Sequence, residues 1–235
     1  MGKYLVLILS LLSCVGYAKV TFVTFVTFPI PLMVESAEVG LFIDLTKEIS
    51  KRTKTEILIQ VMPTGRAILS FSKGQSNAFF PALDVYTPTN AIKTVPFYEK
   101  VDFVFYRKEK PLKTIKDLEG KKVGLTFRYP YAVALTSNKK IKFVFSENDV
   151  ANMKKLSDGN IDAFVVEERS GLRALELSRV NGITFDRDTP LSKQDVYYAF
   201  KDTEEGRRLA KEFSAVITAM KANGSLDDAI LRSKK

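Results

Sequence analysis

The sequence contains no histidine and no tryptophan, and its only cysteine is Cys14. The lack of histidine excludes an imidazole base, as in serine hydrolases of the Ser-His-Asp type, and excludes histidine ligands for a metal ion. A single cysteine cannot form an intramolecular disulfide bond. Only carboxylate, lysine and tyrosine side chains remain for acid–base chemistry, so the composition predicts no metal site and no cofactor, and it disfavours an enzyme.

Long runs of basic residues are also absent. The formal net charge is +9, from 36 Lys and Arg against 27 Asp and Glu, but the basic residues are spread along the chain. Binding to nucleic acid or to an anionic membrane usually requires a concentrated basic patch. We therefore interpret the charge as a basic protein surface and expect no nucleic-acid partner. With 46% hydrophobic and 27% charged residues, we expect a globular protein with a buried core. We also expect a monomer.

One long apolar run occurs, and it lies at the N-terminus. The apolar stretch 4–15 follows a single lysine and precedes Gly16 and Ala18, two small residues at the spacing of a cleavage site. This layout predicts a signal peptide over residues 1–18 and export to the periplasm. About 12 apolar residues are too few for a membrane span, which needs about 20. Alternatively, the tetrapeptide Leu-Leu-Ser-Cys that ends at Cys14 resembles a bacterial lipobox, in which this cysteine would carry a lipid.

The first half of the chain alternates between strand and helix patterns. Thr alternates with Val and Phe after Lys19, and this predicted strand ends at Pro29 and Pro31. Next, GLFIDLTKEISKR has helical spacing, TEILIQV alternates as a strand, and TGRAILSFSKG is a helix that ends at Gly74. The strand NAFFPAL follows. This order predicts a parallel sheet covered by helices.

A helix that stops at a glycine and leads into a buried strand is predicted twice. The two copies are SKGQSNAFFPAL at 72–83 and SDGNIDAFVVEE at 157–168. The repetition predicts two similar α/β lobes. Ser146, three residues before Asp149, is the predicted cap of the second of these helices.

Two aromatic-rich segments, VDFVFYRKE at 101–109 and QDVYYAFKD at 194–202, flank the second half of the chain. We interpret them as a pair of strands that carry the chain out of lobe 1 and back into it. The predicted limits are 19–104 plus 199–235 for lobe 1 and 105–198 for lobe 2. The predicted fold is therefore an α/β, two-lobed clamshell. Each lobe is a mixed sheet flanked by helices, and two hinge strands join the lobes around a cleft for a small ligand.

Seven segments in this order, over roughly 200 residues, resemble the periplasmic solute-binding proteins of family 3, which have the type II fold. The segments are GLFIDLTKEISKR, PTGRAILSFSKGQSNAFFPAL, YTPTN, PFYEKVDFVFYRK, IKDLEGKKVGL, DGNIDAFVVEE and MKANGSLDDAI. The resemblance implies an exported, non-enzymatic protein that captures a small polar solute, such as an amino acid or a related carboxylate or amine. It also implies a partner, the membrane permease of an ABC importer.

The resemblance also implies positions for the ligand site. In this family a Thr and an Arg in a lobe 1 loop hold the α-carboxylate, and an acid in lobe 2 meets the α-amino group. The matching positions here are Thr87, Asn90 in place of the arginine, and Glu167. Asparagine cannot make the two parallel charge-assisted hydrogen bonds of an arginine. Arg66 and Arg128 are candidates for the missing charge; alternatively they lie on a solvated helix face and in an exposed loop.

Aromatic residues form a second set of candidates. Phe28, Tyr86, Tyr129 and Tyr131 lie in segments that should face the cleft, where their rings would pack on a ligand or a cation. They would otherwise pack on their own lobe. For Glu167, the alternative to a ligand contact is a salt bridge to the nearby arginines at 169 and 173.

Two other functions stay open. The same clamshell would serve as a ligand-sensing adaptor for a membrane receptor. Some relatives in the family are exported dehydratases that use acids in the cleft, and Glu167 or Glu168 would be the general acid here. Adjacent residues at a strand end point to opposite sides, so both cannot serve one site.

Overall fold

The computed structural model describes residues 21–232. The expected signal peptide 1–18 and Cys14 lie outside the described residues. The helices and strands follow the chain in this order: β1 Thr21–Thr27, α1 Leu41–Thr53, β2 Thr55–Val61, α2 Thr64–Ser72, β3 Ala78–Ala82, β4 Ile92–Lys93, β5 Tyr98–Arg107, β6 Lys122–Thr126, α3 Val133–Thr136, β7 Lys142–Ser146, α4 Asp149–Ser157, β8 Ala163–Glu167, α5 Glu168–Ser178, β9 Ile183–Thr184, β10 Ser192–Phe200, α6 Glu204–Ala222 and α7 Ser225–Arg232.

The strands form two half-sheets of matching order. Hydrogen-bonded neighbours follow the order β2-β1-β3-β10 in the first half-sheet. Read from its outer edge inward, the second half-sheet has the corresponding order β7-β6-β8-β5. In each half three strands are parallel, and the fourth, β10 or β5, is antiparallel to its neighbour. We call the part built on β1–β4 lobe 1 and the part built on β6–β9 lobe 2. The predicted α/β clamshell with a mixed sheet in each lobe is confirmed.

Strands β5 and β10 connect the lobes. Tyr98–Asp102 of β5 pairs with Ser192–Val196 of β10 in antiparallel register. Beyond this shared segment β5 pairs with β8 in lobe 2, and β10 pairs with β3 in lobe 1. The expected lobe limits, 104/105 and 198/199, lie inside these two strands.

The repeated helix–glycine–strand pattern has the same backbone in both lobes. Gly74 follows α2 and Gly159 follows α4, each with φ of 75°, a left-handed conformation that glycine adopts with little steric cost. The strands that come next, β3 and β8, are buried at every position. The chain therefore brings two buried strands to corresponding places beside the crossing strands.

Helix α6 packs an apolar stripe against lobe 1. Leu209, Phe213, Ile217 and Met220 are buried in the core of this lobe. There the ring of Phe213 lies 5.6 Å from that of Tyr198 on β10. Within residues 21–232, no helix combines the length and the apolar character that a membrane crossing requires.

The predicted cap of α4 is wrong. Asn148, rather than Ser146, caps this helix, and its side chain accepts a hydrogen bond from the Ala151 backbone N–H at 2.9 Å. Ser146 ends β7 and donates to Asn152 Oδ1 at 2.8 Å inside lobe 2. Ser146 still belongs to the strand and its side chain lies inside the lobe. The N-cap position comes later in the chain, at Asn148, so Ser146 does not bond to the first free N–H groups of the helix.

Candidate functional site

A cavity of about 60 Å³ lies between the lobes, at the crossing strands. Lobe 1 lines it with apolar and aromatic residues: Phe28, Ile30, Met33, Phe42, Pro81, Leu83 and Tyr86. The crossing strands contribute Tyr98, Lys100 and Val196. Lobe 2 contributes Tyr129, Pro130, Glu167 and Ser170. Ligand pockets commonly measure about 300–1,000 Å³, so the lobes are closed on a narrow space.

Glu167 is placed by the junction of β8 and α5. It is the last residue of the strand and the N-cap of the helix, and its Oε2 accepts a hydrogen bond from Ser170 N–H at 2.9 Å. Its Oε1 accepts from the Tyr98 hydroxyl at 3.0 Å. The residue is only 7% exposed. Burial raises the pKa of this carboxyl, and the hydrogen bonds from backbone N–H groups and from Tyr98, together with the charge of Lys100, oppose that rise.

Neither salt bridge considered for Glu167 forms. Arg169 donates to the Ile230 carbonyl at 3.0 Å, and Arg173 pairs with Glu176 at 2.7 Å. Among the described residues, no cationic group lies within 4.0 Å of the Glu167 carboxylate oxygens. The neighbouring acid, Glu168, turns away and pairs with Arg187 at 3.0 Å.

Alternate residues of β5 bring three polar side chains to one face of the sheet. Tyr98, Lys100 and Asp102 share this face because side chains alternate along a strand. The β5–β8 register places Asp102 directly opposite Glu167. Lys100 forms an ion pair with Asp102, which is 1% exposed and also accepts from the Ser192 hydroxyl at 2.9 Å. The lysine charge is therefore matched inside the protein.

Asp149 lies behind this face, in the first turn of α4. Thr126, at the end of β6, donates a hydrogen bond to its carboxylate, and the Tyr129 hydroxyl is a second partner. Burial raises the pKa of Asp149 to about 6, the charge of Glu167 adds to the rise, and the two hydroxyls and Lys100 oppose it. Burial likewise raises the pKa of Tyr129.

Sequence reasoning missed Tyr98, Lys100, Asp102 and Asp149. A signal for the first three was present: in the segment YEKVD, Tyr98, Lys100 and Asp102 lie at alternate positions, which a strand places on one face. For Asp149 the signal was topological, since the carboxyl ends of parallel strands meet at one edge of a sheet. Thr126 and Glu167 end two such strands, and Asp149 follows a third.

Four of the nine predicted site residues line the cavity: Phe28, Tyr86, Tyr129 and Glu167. The rings of Phe28 and Tyr86 are 6.5 Å apart, and the Tyr86 hydroxyl donates to the Pro81 carbonyl of its own lobe. The ring of Tyr86 therefore faces the cavity while its polar group is already bonded.

The other five predicted residues lie elsewhere. Tyr131 is buried in the core of lobe 2, and its hydroxyl accepts from Thr126 N–H at 2.7 Å. Thr87 is buried, and its hydroxyl has no hydrogen-bond partner among the described residues. Asn90, Arg66 and Arg128 are exposed, and none of them lines the cavity.

Two of these exposed residues have identifiable surroundings. Asn90 lines a separate surface groove beside Pro88. Arg128 has a left-handed backbone with φ of 67°, and its guanidinium carbon lies 5.4 Å from the centre of the Phe127 ring. No cluster of three or more His, Cys, Asp or Glu in the described part of the chain has the arrangement of a metal site.

No family model and no curated protein sequence matches the chain. Solved structures do match it. The GluR0 ligand-binding core from Nostoc punctiforme in complex with L-glutamate has a TM-score of 0.71 at 18% identity, covering 88% of this chain and 96% of that one. A histidine kinase sensor domain with similarity to periplasmic binding proteins has a TM-score of 0.70 at 16% identity, covering 89% and 95%.

A third match is the substrate-binding protein of an amino acid ABC transporter, with a TM-score of 0.66 at 16% identity over 89% of this chain and 97% of that one. Two of these three structures are named for binding a ligand or substrate, and the third is a sensor domain. At such low identities the likeness concerns the fold. The chain has the two-lobed α/β fold of the periplasmic binding proteins, in agreement with the resemblance seen in the sequence.

Proposed function

We propose that the chain is an exported binding protein that closes its two lobes on a small polar solute and presents the closed form to the permease of an ABC importer. One observation carries the proposal: both lobes and both crossing strands line a single cavity. A ligand there would touch both lobes and so favour the closed state over the open one. The likeness to the substrate-binding protein of an ABC transporter supports the importer as partner.

Opening would occur at the paired segments Tyr98–Asp102 and Ser192–Val196. The Tyr98 ring packs on Phe42 of lobe 1 at 5.2 Å, while its hydroxyl bonds to Glu167 of lobe 2. This hydrogen bond therefore spans the cleft and breaks when the lobes separate. Because the cavity is narrow, the lobes must part before a solute enters.

The proposal includes the following assignments. Lobe 1 comprises 19–104 plus 199–235, and lobe 2 comprises 105–198. The protein is a monomer in the periplasm, delivered there by the leader 1–18, and it has no catalytic role. Of the nine candidate residues, the four that line the cavity contact the ligand.

A ligand panel tests this function. We expect at least one compound among amino acids, amines and small carboxylates to raise the melting temperature of the full chain. At 100 times Kd, mass action adds about 2.7 kcal/mol, or roughly 5–10 °C for a chain of this size. The same compound should lower the radius of gyration in small-angle X-ray scattering. The proposal fails if no compound shifts the melting temperature and native mass spectrometry detects no bound small molecule.

The likeness to a histidine kinase sensor domain supports a second candidate, in which the closed form signals to a membrane receptor. Deleting the gene distinguishes the two. A transport role predicts that the cells lose uptake of the radiolabelled ligand. A sensing role predicts that uptake continues while the transcriptional response to the ligand disappears.

A further inference from the structure

We propose that the ligand of the interlobe cavity is an organic amine with an apolar body and no carboxylate. This inference rests on the binding function proposed above and names the class of solute. Three features of the site carry it: a buried carboxylate that forms no ion pair, a lysine that is already paired with another acid, and a lobe 1 surface without charge.

The first feature is Glu167. Its oxygens accept from Tyr98 O–H and Ser170 N–H, which are neutral groups, and the residue is nearly fully buried at the cavity wall. A buried carboxylate is costly unless it is paired with a cation as well as hydrogen-bonded. An ammonium group in the cavity would supply the charge and up to three donors.

The second feature is that Lys100, the one cation among the cavity residues, already has an acidic partner. It is paired with Asp102, and its amino nitrogen also lies 5.6 Å from the centre of the Tyr131 ring. If Lys100 turned to bind a ligand carboxylate, Asp102 would stay buried without its counter-ion, which is strongly unfavourable. Lys100 is therefore a poor receptor for an anion.

The third feature is the opposite wall. Every lobe 1 residue in the lining is apolar or aromatic, and the only hydroxyl among them, on Tyr86, already donates to a backbone carbonyl. Arg66 and Arg128 are exposed outside the cavity, and Asn90 lines a different groove. A ligand carboxylate directed toward lobe 1 would lose its hydration without gaining a charged donor.

These features give the ligand an orientation. The ammonium end would point to the carboxylate of Glu167, beside the hydroxyl of Tyr98. The apolar body would lie against Phe28, Phe42 and Tyr86, whose rings bury large apolar area and attract a cation through their faces.

Pairs of compounds that differ only by a carboxylate test the inference. We would titrate the full chain, by calorimetry at pH 7.5, with phenethylamine against L-phenylalanine, 3-methylbutylamine against L-leucine, and agmatine against L-arginine. We expect the amine of at least one pair to bind at least tenfold more tightly than its amino acid. Amino acids that bind as tightly as their amines, or more tightly, in every pair would overturn the inference and leave the binding function standing.

Two variants show whether Glu167 provides the charge. Glu167→Gln keeps one carbonyl oxygen that can accept from Ser170 N–H, and its NH2 group can donate to the Tyr98 hydroxyl oxygen, so the helix cap stays while the charge is lost. We expect it to bind the preferred amine at least tenfold more weakly than the unaltered chain. Glu168→Gln is the matched control, because this adjacent acid pairs with Arg187 outside the cavity, and it should bind as the unaltered chain does.

Unchanged amine affinity in Glu167→Gln would overturn the inference, and circular dichroism of both variants establishes that they are folded. If no amine and no amino acid binds, and native mass spectrometry of the full chain detects no small molecule, the binding function itself fails together with the ligand class.

Discussion

Lobe 1 and lobe 2 share a strand order but differ in what they bury. In the described part of lobe 1, the buried polar side chains are all hydroxyls of Ser or Thr. Lobe 2 and strand β5 bury three carboxylates, those of Asp102, Asp149 and Glu167. A repeated scaffold therefore forms the two halves of the cleft, while the buried carboxylates lie in lobe 2 and on the crossing strand β5.

The difference arises at the ends of β3 and β8, the corresponding strands of the two half-sheets. Strand β3 ends at Ala82 and leads into a turn, so apolar residues face the cleft. Strand β8 ends at Glu167 and leads directly into α5, whose free N–H groups hold the carboxylate at the cavity wall. A helix N-terminus favours a negative charge at this position. The corresponding strands β3 and β8 thus present different groups to the cleft, because a turn follows β3 and a helix follows β8.

The largest expected effect is on the pH dependence of stability, and it comes from Asp149. Its pKa is raised to about 6 in the folded protein, against about 3.9 for a free aspartate. The folded state therefore holds this proton more tightly, and stability falls as the pH rises from about 4 to 6. The groups that face Asp149 are Thr126, Tyr129, Lys100 and Glu167. Between pH 3 and 8, the unaltered chain should lose on the order of 3 kcal/mol more stability than Asp149→Asn.

Urea unfolding at several pH values measures this loss. Asp117→Asn is a control of opposite sign, because backbone N–H groups of Lys113 and Thr114 lower the pKa of Asp117. Its contribution to stability should be present above about pH 4 and disappear below it. A pH profile of Asp149→Asn that is parallel to that of the unaltered chain would contradict the buried charge in lobe 2.

A smaller effect on the free energy of unfolding is expected from substitution of two glycines, one in each lobe. Helix α5 packs on Phe105 through Gly171, where an added Cβ would lie 2.4 Å from the buried ring. Gly65 of α2 has no atom within 4 Å of an added Cβ. We expect Gly171→Ala to lower the free energy of unfolding by about 1–3 kcal/mol because of overpacking.

Gly65→Ala is the matched change in lobe 1 and should stabilise the protein by roughly 0.5–1 kcal/mol. Gly171→Ala should also weaken ligand binding, since α5 holds Glu167. Both quantities come from urea unfolding and calorimetry of the same preparations. Equal effects of the two substitutions would mean that α5 is not held tightly against lobe 2.

The smallest expected effect concerns the two tyrosines of the cavity. The Tyr98 hydroxyl bonds across the cleft to Glu167, whereas the Tyr86 hydroxyl bonds to Pro81 within lobe 1. Removing a hydrogen bond costs about 1 kcal/mol in either case. Only Tyr98→Phe should shift the population toward the open state, by up to about tenfold in the closed-to-open ratio.

Small-angle X-ray scattering of Tyr98→Phe and Tyr86→Phe compares the two. The radius of gyration should increase in the first variant and stay unchanged in the second. The same increase in both variants would show that the hydrogen bond across the cleft does not hold the lobes together.

Local patterns in the sequence were sufficient for the fold. The alternation TEILIQV, the apolar stripe of α6 and the glycines at 74 and 159 each report burial or backbone conformation over a few residues. The two copies of the helix–glycine–strand pattern then indicated two lobes. Such predictions succeed because side-chain periodicity and glycine conformation are properties of one segment of chain.

The site was only partly predictable. Glu167 was identified through the resemblance to the solute-binding family, and Phe28, Tyr86 and Tyr129 because they lie in segments that should face the cleft. The pairing of Lys100 with Asp102, the place of Asp149 behind Tyr129, and the exposure of Arg66 and Arg128 depend on how separate elements meet. No single segment contains that information.

The amino-acid sequence by itself determined which segments form strands and helices, the repetition of the two lobes and the absence of histidine and of a second cysteine. The tertiary structure alone decided which charges face the cavity and which are already matched. The physical reason is that electrostatic pairing depends on distance in space and on burial. The β5–β8 register and the N-terminus of α5 set both for Asp102 and Glu167.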